Sequence, residues 1–189
     1  MKNSSQKETF IDALKVIKNT YDALTDNYDE LYGYEQTIKH LEIIKKVNLS
    51  NKKILDAGAG TLLLEKTLLS LRSKDNYWIV ALDISEVIRK PYQDLKHNEK
   101  IDSVIGDITN IPFRNEAFNI VLSITVLGGL GELIKKAATN MINTCKKEGK
   151  IIITIHEKTI SKIEKAFLDE SCVELWKAGV DIGCTIEKT

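Results

Sequence analysis

Three carboxylates and one glycine-rich loop carry the chemistry legible in this chain. Asp56 stands two residues before Gly58, and Gly60 and Thr61 follow, in Lys53-Ile54-Leu55-Asp56-Ala57-Gly58-Ala59-Gly60-Thr61. Glycine takes positive φ freely and has no Cβ, so a nucleoside-like ligand can approach this loop closely. A helix expected over 62–71 points its first free N–H groups into the same space. Asp83 ends the run Ile79-Val80-Ala81-Leu82-Asp83-Ile84-Ser85. A carboxylate at such a strand tip can accept two hydrogen bonds from a ribose diol. Asp107 follows in Val104-Ile105-Gly106-Asp107-Ile108. Singly, each Asp reads equally as a turn former or helix N-cap. Three at the ends of successive strands point to one ligand site, since ligands of open α/β sheets bind there.

Other chemistries are excluded. A dinucleotide fingerprint needs a third glycine where Leu63 stands, and the Gly-Lys-Ser/Thr of a phosphate-binding Walker loop is absent. The 27 basic and 27 acidic residues cancel, so no global field favours nucleic acid or an anionic membrane. Cys145, Cys172 and Cys184 form no CxxC pair, which suits reduced thiols better than a disulfide framework or zinc site. No His/Cys/carboxylate group has metal-ligand spacing, so no metal is expected. Residues 1–10 are polar and carry no hydrophobic signal region. The most apolar run, 121–133, is too short to span a bilayer and contains glycines and Glu132. The expectation is a cytoplasmic protein.

The elements that must position these residues alternate. A helix is predicted over 7–30, with Phe10, Leu14, Ile17, Tyr21 and Leu24 near one face. A second, over 34–47, sets Ile38, Leu41, Ile43 or Ile44, and Val47 at helical spacing. Short β-type runs follow at 53–56, 78–83, 101–105, 118–123 and 150–156, separated by helical or loop segments. That alternation predicts an α/β fold built on a parallel, doubly wound sheet. Runs 173–176 and 181–187, joined by Lys177-Ala178-Gly179-Val180, predict a hairpin. With 189 residues, two prolines and no repeat or linker, a single domain is expected.

The Asp56-x-Gly58-x-Gly60 segment resembles motif I of the class I S-adenosylmethionine-dependent methyltransferases, with Leu62 where the family usually has a last glycine. Ile111-Pro112-Phe113 and Ala117-Phe118-Asn119-Ile120-Val121 resemble the run into that family's fourth strand, with Asn119 for the usual aspartate. The Lys147-Glu148-Gly149-Lys150 turn resembles the one before its fifth strand. The likeness covers residues 28–187 and is to the small methyltransferase-domain members. It implies a Rossmann-like, mostly parallel seven-stranded sheet with a C-terminal antiparallel hairpin and N-terminal helices. Residues 1–50 would form a helical lid, of which 1–35 cover the site, and 51–189 the cofactor-binding core. The implied cofactor is S-adenosylmethionine, leaving as S-adenosylhomocysteine. Asp56, Gly58, Gly60 and Thr61 would form its loop, and Asp83, with Ile84 beside it, would hold the ribose. Asp107 would accept from the adenine amino group while Ile108 packs on the ring. Ser123, leaving the fourth strand, and Tyr28 and Tyr32, whose aromatic faces attract a sulfonium, complete the implied cofactor set.

Methyl transfer is an in-line displacement that positioning and exclusion of water can accelerate, so a base is needed only if the acceptor must lose a proton. The sequence assigns no catalytic residue. His156, with Glu157 beside it, either faces the acceptor or caps its strand, while His40 and His97 read as surface residues. The Val126-Leu127-Gly128-Gly129-Leu130-Gly131 loop reads as a mobile approach for a ligand or as a tight connection. The Asn/Asp-Pro-Pro-aromatic motif of amide and exocyclic-amine methylation is absent. A small-molecule acceptor fits a lidded site. The alternatives are an RNA or protein acceptor met by Lys135, Lys136, Lys146 and Lys147, or a non-catalytic partner module that keeps the cofactor.

Overall fold

A computed structural model describes residues 28–72 and 74–189 of the chain. The helix expected over 7–30 lies almost wholly outside the described residues, as does the side chain of Tyr28. The elements run α1 (Tyr28–Lys46), β1 (Lys52–Ala57), α2 (Leu63–Leu71), β2 (Tyr77–Asp83), α3 (Arg89–Leu95), β3 (Ile101–Ile105), β4 (Phe118–Ile124), α4 (Leu133–Thr144), β5 (Cys145–His156), α5 (Lys162–Ser171), β6 (Glu174–Ala178) and β7 (Asp181–Glu187). The seven strands form one sheet in the order β3-β2-β1-β4-β5-β7-β6. The β1 to β5 pairs are parallel, whereas β7 pairs antiparallel with both β5 and β6. The expected doubly wound sheet with a C-terminal hairpin is therefore the observed one.

Strand side chains alternate between faces, and both faces are covered. Leu55, Val80, Val121, Ile151 and Ile153 pack under Ile134 and Met141 of α4 and Phe167 and Leu168 of α5. Ile54, Ile79, Ile101, Ile120 and Ile152 meet Ile43, Ile44 and Val47 of α1 and Leu64 and Leu68 of α2. The chain order reverses between β1 and β4, and that switch point opens a crevice at the strands' C-terminal ends. Register aligns the crevice: Asp56 pairs with Ala81 and Leu122, and Asp83 with Ile105 just before Gly106 and Asp107.

Helix α1 starts at Tyr28, six positions before the predicted 34, because Gly33 is tolerated inside it. Asp29 and Glu30 in its first turn, and Lys45 and Lys46 in its last, suit the helix dipole and offset that glycine. The predicted turn at 147–150 lies inside β5, where the register shifts and Glu148 takes φ 58°. A Cβ on Gly149 would stand 2.5 Å from Cys145 Sγ and 2.8 Å from the Asn119 carbonyl oxygen, so the irregularity needs glycine there. Strand β6 continues to Ala178, which shortens the hairpin turn to Gly179-Val180. The reading of three reduced thiols is corrected: Cys172 and Cys184 form a disulfide, 5.5 Å apart at Cα, and Cys145 is a buried free thiol. The fold brings the end of α5 beside β7, which twelve residues of spacing alone do not announce. No described helix is long and apolar enough to cross a membrane.

Candidate functional site

The crevice at the switch point is a cavity lined by the glycine loop, the tips of β1 to β4 and two residues of α1. Its floor is fixed by the backbone. Asp83 Oδ2 accepts the Gly60 N–H at 2.8 Å and Oδ1 accepts the Ser85 N–H at 2.8 Å. The Gly58 and Ala59 N–H groups donate to the Leu82 carbonyl at 2.7 and 3.1 Å, tying the loop to β2. Gly58, at φ 97°, leaves no room for a side chain: a Cβ would stand 2.3 Å from Val126 Cγ2. Gly60, at φ 53°, faces open space. Asp107 caps the short 3-10 turn Ile108–Asn110, its Oδ1 accepting from Thr109 N and its Oδ2 from Thr109 Oγ1, each at 2.7 Å. Thr61 Oγ1 donates to Asp29 Oδ1 at the start of α1 and so closes the helix onto the loop.

Leu62, the departure from the motif, takes φ 60°, the left-handed conformation that glycine would adopt freely. Its side chain is fully buried against Ala81 and Ile88, which offsets the backbone strain.

Behind the loop, Asp56 and Glu65 face each other inside the protein. Among the described residues, no amide, amine or alcohol donor reaches Asp56 Oδ1 or either Glu65 oxygen. Burial, then the Asp56 charge, pushes the Glu65 carboxyl well above its usual range. Burial, then the Asp83 charge, lifts Asp56 to about 7, against a hydrogen bond from Glu65 that lowers it. Two facing carboxyls sharing a proton are the outcome of that geometry.

On the other side of the crevice, Thr125 follows β4 at φ 60°, a strained conformation for a β-branched residue. Four contacts hold it. Its N–H donates to the Thr154 carbonyl and to Thr154 Oγ1, each at 3.0 Å. Its Oγ1 donates to Asp181 Oδ2 at 2.7 Å and accepts from Lys39 Nζ at 3.0 Å. Gly129 N–H donates to Glu164 Oε1 at 2.7 Å, so the 126–131 loop is pinned to α5.

Of the residues chosen from sequence, Asp56, Gly58, Gly60, Thr61, Asp83, Ile84, Asp107 and Ile108 all line this cavity. Ser123 does not: it is fully buried one position inside the β4 tip. Tyr32, on α1 and 41% exposed, is also absent from the lining. His156 accepts the Lys158 N–H on Nδ1 at 3.2 Å, a local turn contact at the strand end. His97 is exposed at the other end of the strands, beside the starts of β1 and β2.

The surface assignment of His40 is corrected. It is 3% exposed, lines the cavity with Gln36 one helical turn away, and its Nδ1 lies 3.3 Å from Thr67 Oγ1. Burial, then the neighbouring Lys39 charge, pushes it down to about 4. The signal was present in the sequence: His40 precedes Ile43, Ile44 and Val47 by three, four and seven residues, the spacing of one helix face.

S-adenosylmethionine presents a ribose diol, an adenine amino group, a sulfonium and the ammonium of its amino acid end. The anchored Asp83 carboxylate and the Asp107 carboxylate supply acceptors for such groups, Asp56 lines the same cavity, and Gly60 leaves the loop face open, so the residues fit it. Comparisons with known proteins agree. No curated protein matches the chain in sequence. Among solved structures, a candidate S-adenosyl-L-methionine-dependent methyltransferase from Methanococcus maripaludis is 21% identical, with TM-score 0.74 over 91% of this chain and 93% of that one. An Aquifex aeolicus S-adenosylmethionine-dependent methyltransferase is 12% identical, with TM-score 0.70 over 87% and 96%. A Haemonchus contortus phosphoethanolamine N-methyltransferase, solved with phosphoethanolamine and S-adenosylhomocysteine, is 17% identical, with TM-score 0.61 over 75% and 33%. These likenesses concern the fold. The sequence pattern of the methyltransferase domain matches residues 55–153, from β1 through most of β5 and thus through every cavity-lining strand. With that match over just over half of its length, the chain belongs to the methyltransferase domain family, and its cofactor is S-adenosylmethionine.

Proposed function

We propose that this protein transfers a methyl group from S-adenosylmethionine to a small-molecule acceptor by in-line displacement. The observation that supports the reading best is the convergence of Asp83, Asp107 and the Gly58–Gly60 loop on one cavity roofed by α1. In this reading Asp83 holds the ribose hydroxyls, Asp107 and Ile108 the adenine, and Asp56 the amino acid end. Tyr28, Tyr32 and the remainder of residues 1–50 form a lid over a core of 51–189. Ser123 supports the site from inside β4 and does not contact the cofactor. Chemistry here is positioning and exclusion of water, for which an enclosed, largely apolar crevice is suited. A cytoplasmic location belongs to the same reading.

Incubation of the full chain with methyl-labelled S-adenosylmethionine and a cell extract, fractionated into small molecules, RNA and protein, tests the acceptor class. Label in the small-molecule fraction is expected. Label confined to RNA or protein contradicts the acceptor class, and label in none favours a non-catalytic partner module.

A further inference from the structure

We infer that His40 Nε2 is the acceptor-binding atom, receiving the N–H of an uncharged nitrogen nucleophile and orienting it for methylation, an assignment that rests on the methyl-transfer reading above. Hydrogen-bond bookkeeping around the ring favours one tautomer. Thr67 Oγ1 has one proton and donates it to the Leu63 carbonyl at 2.8 Å. Toward His40 Nδ1, 3.3 Å away, Thr67 can therefore only accept. The Nδ1 atom carries the proton, and Nε2 keeps an unshared pair. Among the described residues nothing donates to Nε2, and the ring lines the cavity that the glycine loop and Asp83 also line. An unshared pair inside a binding cavity selects a ligand that donates a hydrogen bond.

The surroundings narrow the ligand further. Leu63, Leu64, Ile124, Val126 and Leu130 line the same cavity, an apolar wall that suits a nucleophile with an apolar body. Among the described residues, the charged groups around the ring are Lys39 on its own helix and Asp56, Asp83 and Asp107 in the same cavity lining; Thr67, on the helix packed against it, is neutral. Lys39 and burial together keep the imidazole neutral and weakly basic. Such a group is a poor base for a hydroxyl proton, but it accepts a hydrogen bond readily. A neutral amine nitrogen already carries the electron pair it needs, so no prior deprotonation is required. In the transfer, the nitrogen pair forms the new C–N bond while the electrons of the C–S bond stay on sulfur as a thioether. The product nitrogen then holds the positive charge and loses its extra proton to water on release.

The test uses the full chain labelled with nitrogen-15 at histidine. Long-range proton–nitrogen correlation at pH 7 is expected to show His40 as the Nδ1–H tautomer. Aniline added to the S-adenosylhomocysteine-saturated protein should move the Nε2 resonance saturably, while N,N-dimethylaniline, which has no N–H, should not. An Nε2–H tautomer, an imidazolium, or equal responses to the two probes overturns the proposal. His40→Gln should cut kcat for the labelled small-molecule fraction by about 100-fold, the cost of lost orientation, a far larger loss than any in S-adenosylhomocysteine affinity. A wild-type kcat in that variant also overturns it. If calorimetry finds no S-adenosylhomocysteine binding but aniline still shifts Nε2, the nitrogen subsite stands and the methyl-transfer reading falls.

Discussion

Lys39 Nζ lies 2.9 Å from Asp181 Oδ1, with both side chains sealed from solvent. The same ammonium meets Glu35 Oε1 at 2.7 Å. It thereby ties α1, the roof of the crevice, to the start of β7 and to the strained Thr125. Taking such a pair out of water is costly, and removing one partner strands the other as a buried charge. Lys39→Met is therefore expected to lower unfolding free energy by about 3–5 kcal/mol in urea titration. Lys39→Met combined with Asp181→Leu should lose less than Lys39→Met alone. A double variant that simply sums the two single losses would contradict a coupled pair.

Leu62 sets backbone strain against burial. Substitution by glycine relieves about 1–2 kcal/mol of left-handed strain. It also empties a fully buried leucine site, which costs about 2–5 kcal/mol in comparable truncations. Burial outweighs strain, so Leu62→Gly should destabilise the protein by about 2 kcal/mol even though it restores the family's usual residue. A melting temperature above that of the parent chain would reverse this weighing.

The facing carboxyls give stability a pH dependence of definite sign. Asp56 titrates near 3.8 when unfolded and near 7 when folded, and Glu65 is raised from 4.5. Between those limits the native state binds more protons than the unfolded chain, so this contribution is present in acid and is lost as pH rises through 7. His40 works in the opposite direction. Its unfolded value of 6.5 falls to about 4, so its contribution is lost as pH drops through that window. Urea titrations across pH 4 to 7 should show Glu65→Gln reducing the decline toward neutral pH, the remainder coming from Asp56, which burial and Asp83 still hold up, and leaving the acid-side loss. An unchanged profile in Glu65→Gln would mean the two carboxyls do not share a proton.

The disulfide joins residues twelve apart, so it closes a short loop at the α5–β7 junction. Loop-closure entropy for that length is worth roughly 3 kcal/mol. Reduction by dithiothreitol, or Cys172→Ser with Cys184→Ser, should lower unfolding free energy by about 2–3 kcal/mol without altering the far-ultraviolet circular dichroism. Identical urea midpoints with and without reductant would refute it.

The strands and the crevice at their ends were legible because their signals are local. Apolar runs ending in Asp83 or just before Asp107, and glycines flanked by Asp56 and Thr61, mark strand ends and a loop whatever surrounds them. What escaped depends on pairing across the fold. Nothing near Cys172 announces β7, and nothing near Lys39 announces Asp181, 142 positions later. His40 is the instructive case: its type suggested surface, while its spacing to Ile43, Ile44 and Val47 placed it on the buried face. Ser123 erred the other way, since a strand-end serine one residue short of the tip points into the core.

The central claim is that Asp83 and the glycine loop hold S-adenosylmethionine, and titration calorimetry with S-adenosylhomocysteine tests it most directly. The wild-type chain should bind with a dissociation constant in the micromolar range. Asp83→Ala removes a charged hydrogen-bond acceptor worth about 1.5–3 kcal/mol and should weaken binding on the order of 100-fold. No heat of binding to the wild-type chain, or equal affinity in the Asp83→Ala variant, would contradict the account.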